Sequence, residues 1–123
     1  MREYKILIVD DADNLALLLE SRLEAASYEV KTANCAAEAY QTYLTFQPDL
    51  VLTDIGIGEE NGLDLIKRIR SRCGTVKTIY MSGDLARYRS MLVEEKTLHH
   101  AAVLAKPFTT NELISAVSAQ ASH

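Results

Sequence analysis

Asp10, Asp11, Asp54, Ser82 and Lys106 are the side chains of this 123-residue chain whose types and placement could do chemistry together. Three carboxylates gathered in one crevice repel each other, so the set calls for a cation. Oxygen ligands with no His or Cys nearby favour a hard ion, and Mg²⁺ is suited by one or two carboxylates completed by waters and phosphate oxygens. Three carboxylates, one Mg²⁺ and the Lys106 ammonium sum to zero, so a phosphoryl group can enter without meeting a bare negative field. One carboxylate can then act as nucleophile and form an acyl phosphate. Asp54 is the better nucleophile because it stands alone, whereas Asp10 and Asp11 are adjacent and can share the metal. Lys106 and the Ser82 hydroxyl would stabilise charge on the transferred oxygens.

The elements that must bring these residues together are legible as a switch between two periods. Ile6–Val9, Leu50–Thr53, Thr78–Met81 and Ala101–Leu104 are short apolar or β-prone runs without alternation, as strands buried on both faces should be. Tyr28–Thr32 alternates and suits an edge strand. Helix-period segments lie between and after them: Leu15, Leu18, Leu19 and Leu23; Ala36, Tyr40, Tyr43 and Leu44; Leu65, Ile66 and Ile69; Leu85, Tyr88, Met91 and Leu92; and Leu113, Ile114 and Val117. Thr109 and Glu112 form a capping box for the last helix, and Asp11 or Asp13 could cap the first. Five alternations predict an α/β domain with a five-stranded, mainly parallel sheet and five helices. In most units a polar residue of the set falls just past the C-terminal end of a strand, where open parallel sheets bind ligands.

Composition bounds the rest. A length of 123 residues suits one domain, 1–123, with one core. The net charge of −4 opposes general binding to nucleic acid or anionic lipid, and half of that excess lies among Asp10, Asp11, Asp54 and Lys106. No apolar run approaches a membrane span or a signal peptide, so a cytoplasmic chain is expected. Cys35 and Cys73 read as small core residues. His99 and His100 read as surface or helix-terminal groups, and Arg68, Arg70 and Arg72 as a solvated basic face. Tyr80 reads as core, and Tyr88 as a residue that could face a partner.

Taken in order, Asp10-Asp11, Val51-Leu52-Thr53-Asp54, Asn61-Gly62, Ser82-Gly83 and Lys106-Pro107-Phe108 resemble the receiver domains of two-component response regulators, over essentially the whole chain. The resemblance implies a flavodoxin-like, doubly wound sheet of order 2-1-3-4-5, for which a receiver is itself a standard example. It implies that Asp54 accepts phosphate, that Asp10, Asp11, Asp54 and the Gly56 carbonyl hold Mg²⁺, and that Lys106-Pro107 is a cis peptide. It implies a histidine kinase or phosphotransfer protein as donor, an output protein reached by contact, and no enzymatic activity beyond self-phosphorylation and self-dephosphorylation. Two positions depart from the family. Gly58 stands where Pro is usual, which should loosen the following loop. Val103 stands where many carry an aromatic residue, which leaves coupling from Ser82 to the outer surface to backbone shifts.

Three other functions compete. A metal-dependent phosphatase with an aspartyl nucleophile would commonly carry a second Asp at the position of Gly56, so its general acid is missing. A flavin carrier would meet Asp10, Asp11 and Asp13 where its phosphate must bind. The chain could also be the N-terminal receiver of a larger regulator or hybrid kinase.

Overall fold

A computed structural model describes residues 3–122. Its elements are β1 (Lys5–Val9), α1 (Asp13–Ala25), β2 (Glu29–Ala33), α2 (Ala36–Phe46), β3 (Leu50–Asp54), β4 (Gly56–Ile57), β5 (Glu60–Asn61), α3 (Gly62–Arg70), β6 (Lys77–Ser82), α4 (Arg89–His99), β7 (Ala102–Ala105) and α5 (Thr110–Ala121). The five long strands form one parallel sheet in the order β2-β1-β3-β6-β7. Counting only these strands, that is the expected 2-1-3-4-5. The predicted edge strand is at one edge. β7 occupies the other and is only partly buried, so its apolar run marks an edge and not the two-sided burial expected of it.

Two apolar layers cover the sheet, and the strand pleat assigns residues to them. Leu7, Val9, Val51 and Tyr80 face α2, α3 and α4, whereas Ile6, Ile8, Leu50, Leu52, Ile79 and Met81 face α1 and α5. Both faces of β1 and β3 are therefore buried, which is why those strands read as continuous apolar runs. On α1 the buried stripe is Ala16, Leu19 and Leu23, while Leu18 is exposed. Met91 of α4 is likewise exposed, and Leu92 turns inward with Glu95. The helix periods were correct there, but the stripe is shifted by about one residue.

Local chemistry sets the helix ends. α5 begins with the predicted capping box, in which Thr109 and Glu112 each accept the other's backbone N–H. α2 is capped by the Cys35 thiol, which accepts from the Glu38 N–H at 3.5 Å, and Cys73 is also only partly buried. Neither cysteine is a plain core residue. Neither Asp11 nor Asp13 caps α1, whose N-cap position is Ala12.

A buried ion pair joins two helices to the sheet. Glu95 of α4 accepts two hydrogen bonds from the Arg70 guanidinium, at 2.7 and 3.2 Å, and one from the Tyr80 hydroxyl at 2.7 Å. Arg70 therefore leaves the solvated basic face expected of it, and Arg68 stacks over the Tyr40 ring at 3.9 Å. Burial pushes the Glu95 carboxyl up, but the bonds from Arg70 and Tyr80 outweigh it and hold the group below its ordinary value. Tyr80, buried and bonded to that carboxylate, is raised. Glu95→Gln keeps the shape and loses the charge, at a cost of about 2 kcal/mol near neutral pH. Because the folded-state value is depressed, this stabilisation is present above the unfolded value and is lost as pH falls through the folded one. Urea midpoints of wild type and Glu95→Gln should therefore converge as the pH is lowered below the ordinary range of a glutamate carboxyl.

Candidate functional site

The C-terminal ends of β1, β3, β6 and β7 lie along one edge of the sheet, and parallel register brings the residues after them together. Asp54 ends β3 beside Met81, Ser82 ends β6 beside Ala105, and Lys106 follows β7. Backbone bonds hold this edge: Lys106 N–H donates to the Ser82 carbonyl at 2.8 Å, Ile55 N–H to Met81 at 3.0 Å, and Asp10 N–H to Ala33 at 3.1 Å. All five residues named at the outset are at this edge.

Lys106 is at the centre. Its Nζ donates to Asp54 Oδ2 at 3.0 Å and to Asp10 Oδ2 at 3.1 Å, bridging residues 52 and 96 positions away in sequence. Asp10 is fully buried, and its other oxygen, Oδ1, accepts from the Ala12 N–H at 2.9 Å. Asp11 is exposed and reaches the opposite wall, where its Oδ2 accepts from the Gly58 N–H at 2.8 Å. One oxygen from each of Asp10, Asp11 and Asp54 lies within 4.8 Å of the others. Ligands on opposite sides of a six-coordinate Mg²⁺ are about 4.2 Å apart, so the spacing and the all-oxygen set fit that ion. The site carries three carboxylates against one ammonium, an excess matched by a divalent cation.

Two shifts agree with a crowded negative site. Burial raises the Asp54 carboxyl above its ordinary value; Lys106 opposes this, while Asp10 and Asp11 add to it. Burial alone would lower Lys106, yet its bonds to Asp54 and Asp10 hold it above the usual lysine value. Both partners of one pair are thus raised. The lysine answers to two carboxylates, whereas Asp54 answers to burial and two like charges as well as to the lysine.

The remaining residues surround Asp54. Ser82 is buried, and its Oγ accepts from the Asp84 N–H at 2.9 Å. Lys106-Pro107 is cis. Gly56 opens β4, which pairs with β5 in a small antiparallel hairpin after Asp54. Gly58 turns this hairpin at φ +60° and is tied to Asp11, so the loop expected to be loosened is instead anchored. Gly62 begins α3 directly beneath Asp54, with its N–H donating to Ile55 at 2.7 Å, and Asn61 caps that helix through the Leu63 N–H at 2.7 Å. Four groups escaped sequence reading. The Gly58 N–H and the contact of Gly62 with Asp54 are backbone features without a side-chain signal. Glu95 and Arg70 resemble ordinary helix charges. His99 and His100, at the far end of α4, take no part in the pocket.

A β-α sheet of this order with an acidic pocket and a lysine at its C-terminal edge defines a receiver. The model of the response regulator receiver domain matches residues 6–118, and the chain belongs to that family. It is 31% identical to a chemotaxis protein CheY of Thermotoga maritima, over 93% of this chain and 94% of that protein. It is 32% identical to the transcriptional regulator NtrC of Azospirillum brasilense, over 95% of this chain but only 24% of that longer protein. Among solved structures, the response regulator TrrA of Thermotoga maritima in complex with Mg²⁺-BeF superposes with a TM-score of 0.81 at 30% identity, covering 94% of this chain and 97% of that one. The protein is thus a phosphoacceptor module of two-component signalling. Receiver domains bind Mg²⁺ in an acidic pocket, and they interact with histidine kinases or phosphotransfer proteins. Among the described residues no helix is long and apolar enough to cross a membrane.

Proposed function

We propose that residues 1–123 act as one receiver domain that takes a phosphoryl group onto Asp54. The observation that carries this reading is the Lys106 ammonium, held within 3.1 Å of both Asp54 and Asp10 while Asp11 closes the carboxylate cluster. Asp10, Asp11 and Asp54, with the Gly56 carbonyl, would hold Mg²⁺, and the bound ion would neutralise charge on the phosphoryl oxygens. An Asp54 oxygen attacks the phosphorus of a donor phosphohistidine, the phosphorus–nitrogen bond breaks, and the imidazole leaves with the electron pair. Lys106 then turns from carboxylate partner to phosphoryl partner, because transfer removes the charge it was pairing on Asp54. The Ser82 hydroxyl can exchange its acceptance from Asp84 for donation to a phosphoryl oxygen.

The phosphoryl donor is a histidine kinase or phosphotransfer protein, the output passes by protein contact and not through nucleic acid, and the chain works in the cytoplasm. Its chemistry is limited to its own phosphorylation and to hydrolysis of its own acyl phosphate. Incubating the wild type with acetyl phosphate and Mg²⁺ should add one phosphoryl group, read by intact mass, and a chelator should prevent it. Asp54→Asn should show no gain, and an equal gain in that variant would refute the assignment.

A further inference from the structure

The exposed carboxylate of Asp11 differs from its two neighbours in how it is held. Asp10 is buried and bonded at both oxygens, and Asp54 is fixed by Lys106. Among the described residues Asp11 accepts from one donor, the Gly58 N–H at 2.8 Å, which comes from a segment 47 positions later. That donor is rigidly mounted. The β4–β5 hairpin pairs Gly56 with Asn61 and Ile57 with Glu60, and Ile57 is buried in the core beneath it. The Glu60 carboxylate accepts the Ala36 N–H at 3.0 Å, and Asn61 caps α3. The hairpin is therefore tied to α2 on one side and α3 on the other.

We infer that the Gly58 backbone N–H is a positioning group for the cation: it holds one oxygen of Asp11 and so leaves the other oriented into the pocket. An ionised acceptor makes this bond a strong one. Without it, an exposed Asp side chain would have to give up rotamer freedom when the ion binds, and the affinity would fall accordingly. Outer partners of ligating carboxylates are commonly worth about 10- to 100-fold in metal affinity. The inference rests on the reading of the acidic pocket as a Mg²⁺ site. Part of the affinity for the ion thus belongs to a backbone atom on an exposed turn.

Gly58→Pro removes the N–H and cannot hold φ at +60°. Gly58→Asn keeps the N–H and tolerates the left-handed conformation, and a Cβ at this position meets only Asp11 Oδ2, at 3.9 Å. The test is calorimetric titration of Mg²⁺ alone into wild type and both variants of the full chain, with urea unfolding to check that each is folded. Gly58→Pro should bind Mg²⁺ about tenfold more weakly, and Gly58→Asn should recover to within about threefold of wild type. In the wild type, hydrogen exchange at the Gly58 amide should slow when Mg²⁺ is added, because orientation and binding are reciprocal. Wild-type affinity in a folded Gly58→Pro would overturn the inference. So would Gly58→Asn binding as weakly as Gly58→Pro, since the shape of the turn and not its N–H would then be responsible. A wild type that takes up no Mg²⁺ would overturn the pocket reading itself, together with the inference built on it.

Discussion

Lys106→Met should slow phosphorylation by acetyl phosphate about 100- to 1,000-fold, the usual result of removing one preorganised charge from a site of developing charge. The aliphatic stem is kept, so packing is nearly conserved and the change is electrostatic. The same variant should unfold more easily without divalent cation. Its two bond partners, Asp10 fully buried and Asp54 with a side chain only 16% exposed, lose the cation they share. Removing one partner of a buried ion pair costs roughly 3–5 kcal/mol, and the lower end applies here because water reaches Asp54. Saturating Mg²⁺ stabilises whichever form binds it, and should restore more stability to the variant than it adds to wild type. Urea midpoints with and without Mg²⁺, alongside labelling time courses, check both halves. Labelling at the wild-type rate would show that Lys106 only holds the resting pocket together.

Gly62→Ala should be the most damaging conservative change in the chain. A Cβ there would overlap the Asp54 carbonyl oxygen, and would lie 2.9 Å from Thr53 Oγ1 and 3.2 Å from the Asp54 carbonyl carbon. These are backbone and buried atoms, so the strand end or the start of α3 must shift. Overpacking of this kind costs about 3 kcal/mol. The shift also falls on Asp54, and for a reacting group a misplacement of about 1 Å can cost on the order of 100-fold in rate. Gly74→Ala is the matched control, because a Cβ at Gly74 meets nothing within 4 Å. Gly62→Ala should therefore lower both the urea midpoint and the phosphorylation rate, while Gly74→Ala moves neither appreciably. Normal phosphorylation in Gly62→Ala would mean that α3 and not β3 yields.

The C-terminal edge of the sheet, with its polar cluster, was legible in the sequence because the fold makes it so. β1, β3 and β6 are buried on both faces, so each reads as an uninterrupted apolar run. The polar residue that ends each run is then conspicuous, and parallel pairing carries Asp10, Asp54, Ser82 and Lys106 to one side. The hairpin after Asp54 was not legible. Strands of two residues leave no period, and the bond from Gly58 to Asp11 belongs to a backbone atom. Gly58 was read as a source of slack from its conformational freedom, whereas its N–H makes it an anchor. The Arg70–Glu95–Tyr80 network was hidden for a different reason. Charges at helical spacing ordinarily face water, and only the packing of α3 and α4 over Tyr80 buries these. On α1, Leu18 suggests core where the helix presents it to solvent, because a leucine-rich helix does not reveal which of its faces meets the sheet.

The most direct test of the account is to locate the phosphoryl group. Wild-type protein phosphorylated with acetyl phosphate and Mg²⁺ should be reduced with borohydride, which converts an aspartyl phosphate to homoserine, and then mapped by peptide mass spectrometry. Homoserine at position 54 alone is the expected result. Homoserine at Asp10 or Asp11, or a phosphate retained on His99 or His100, would contradict it.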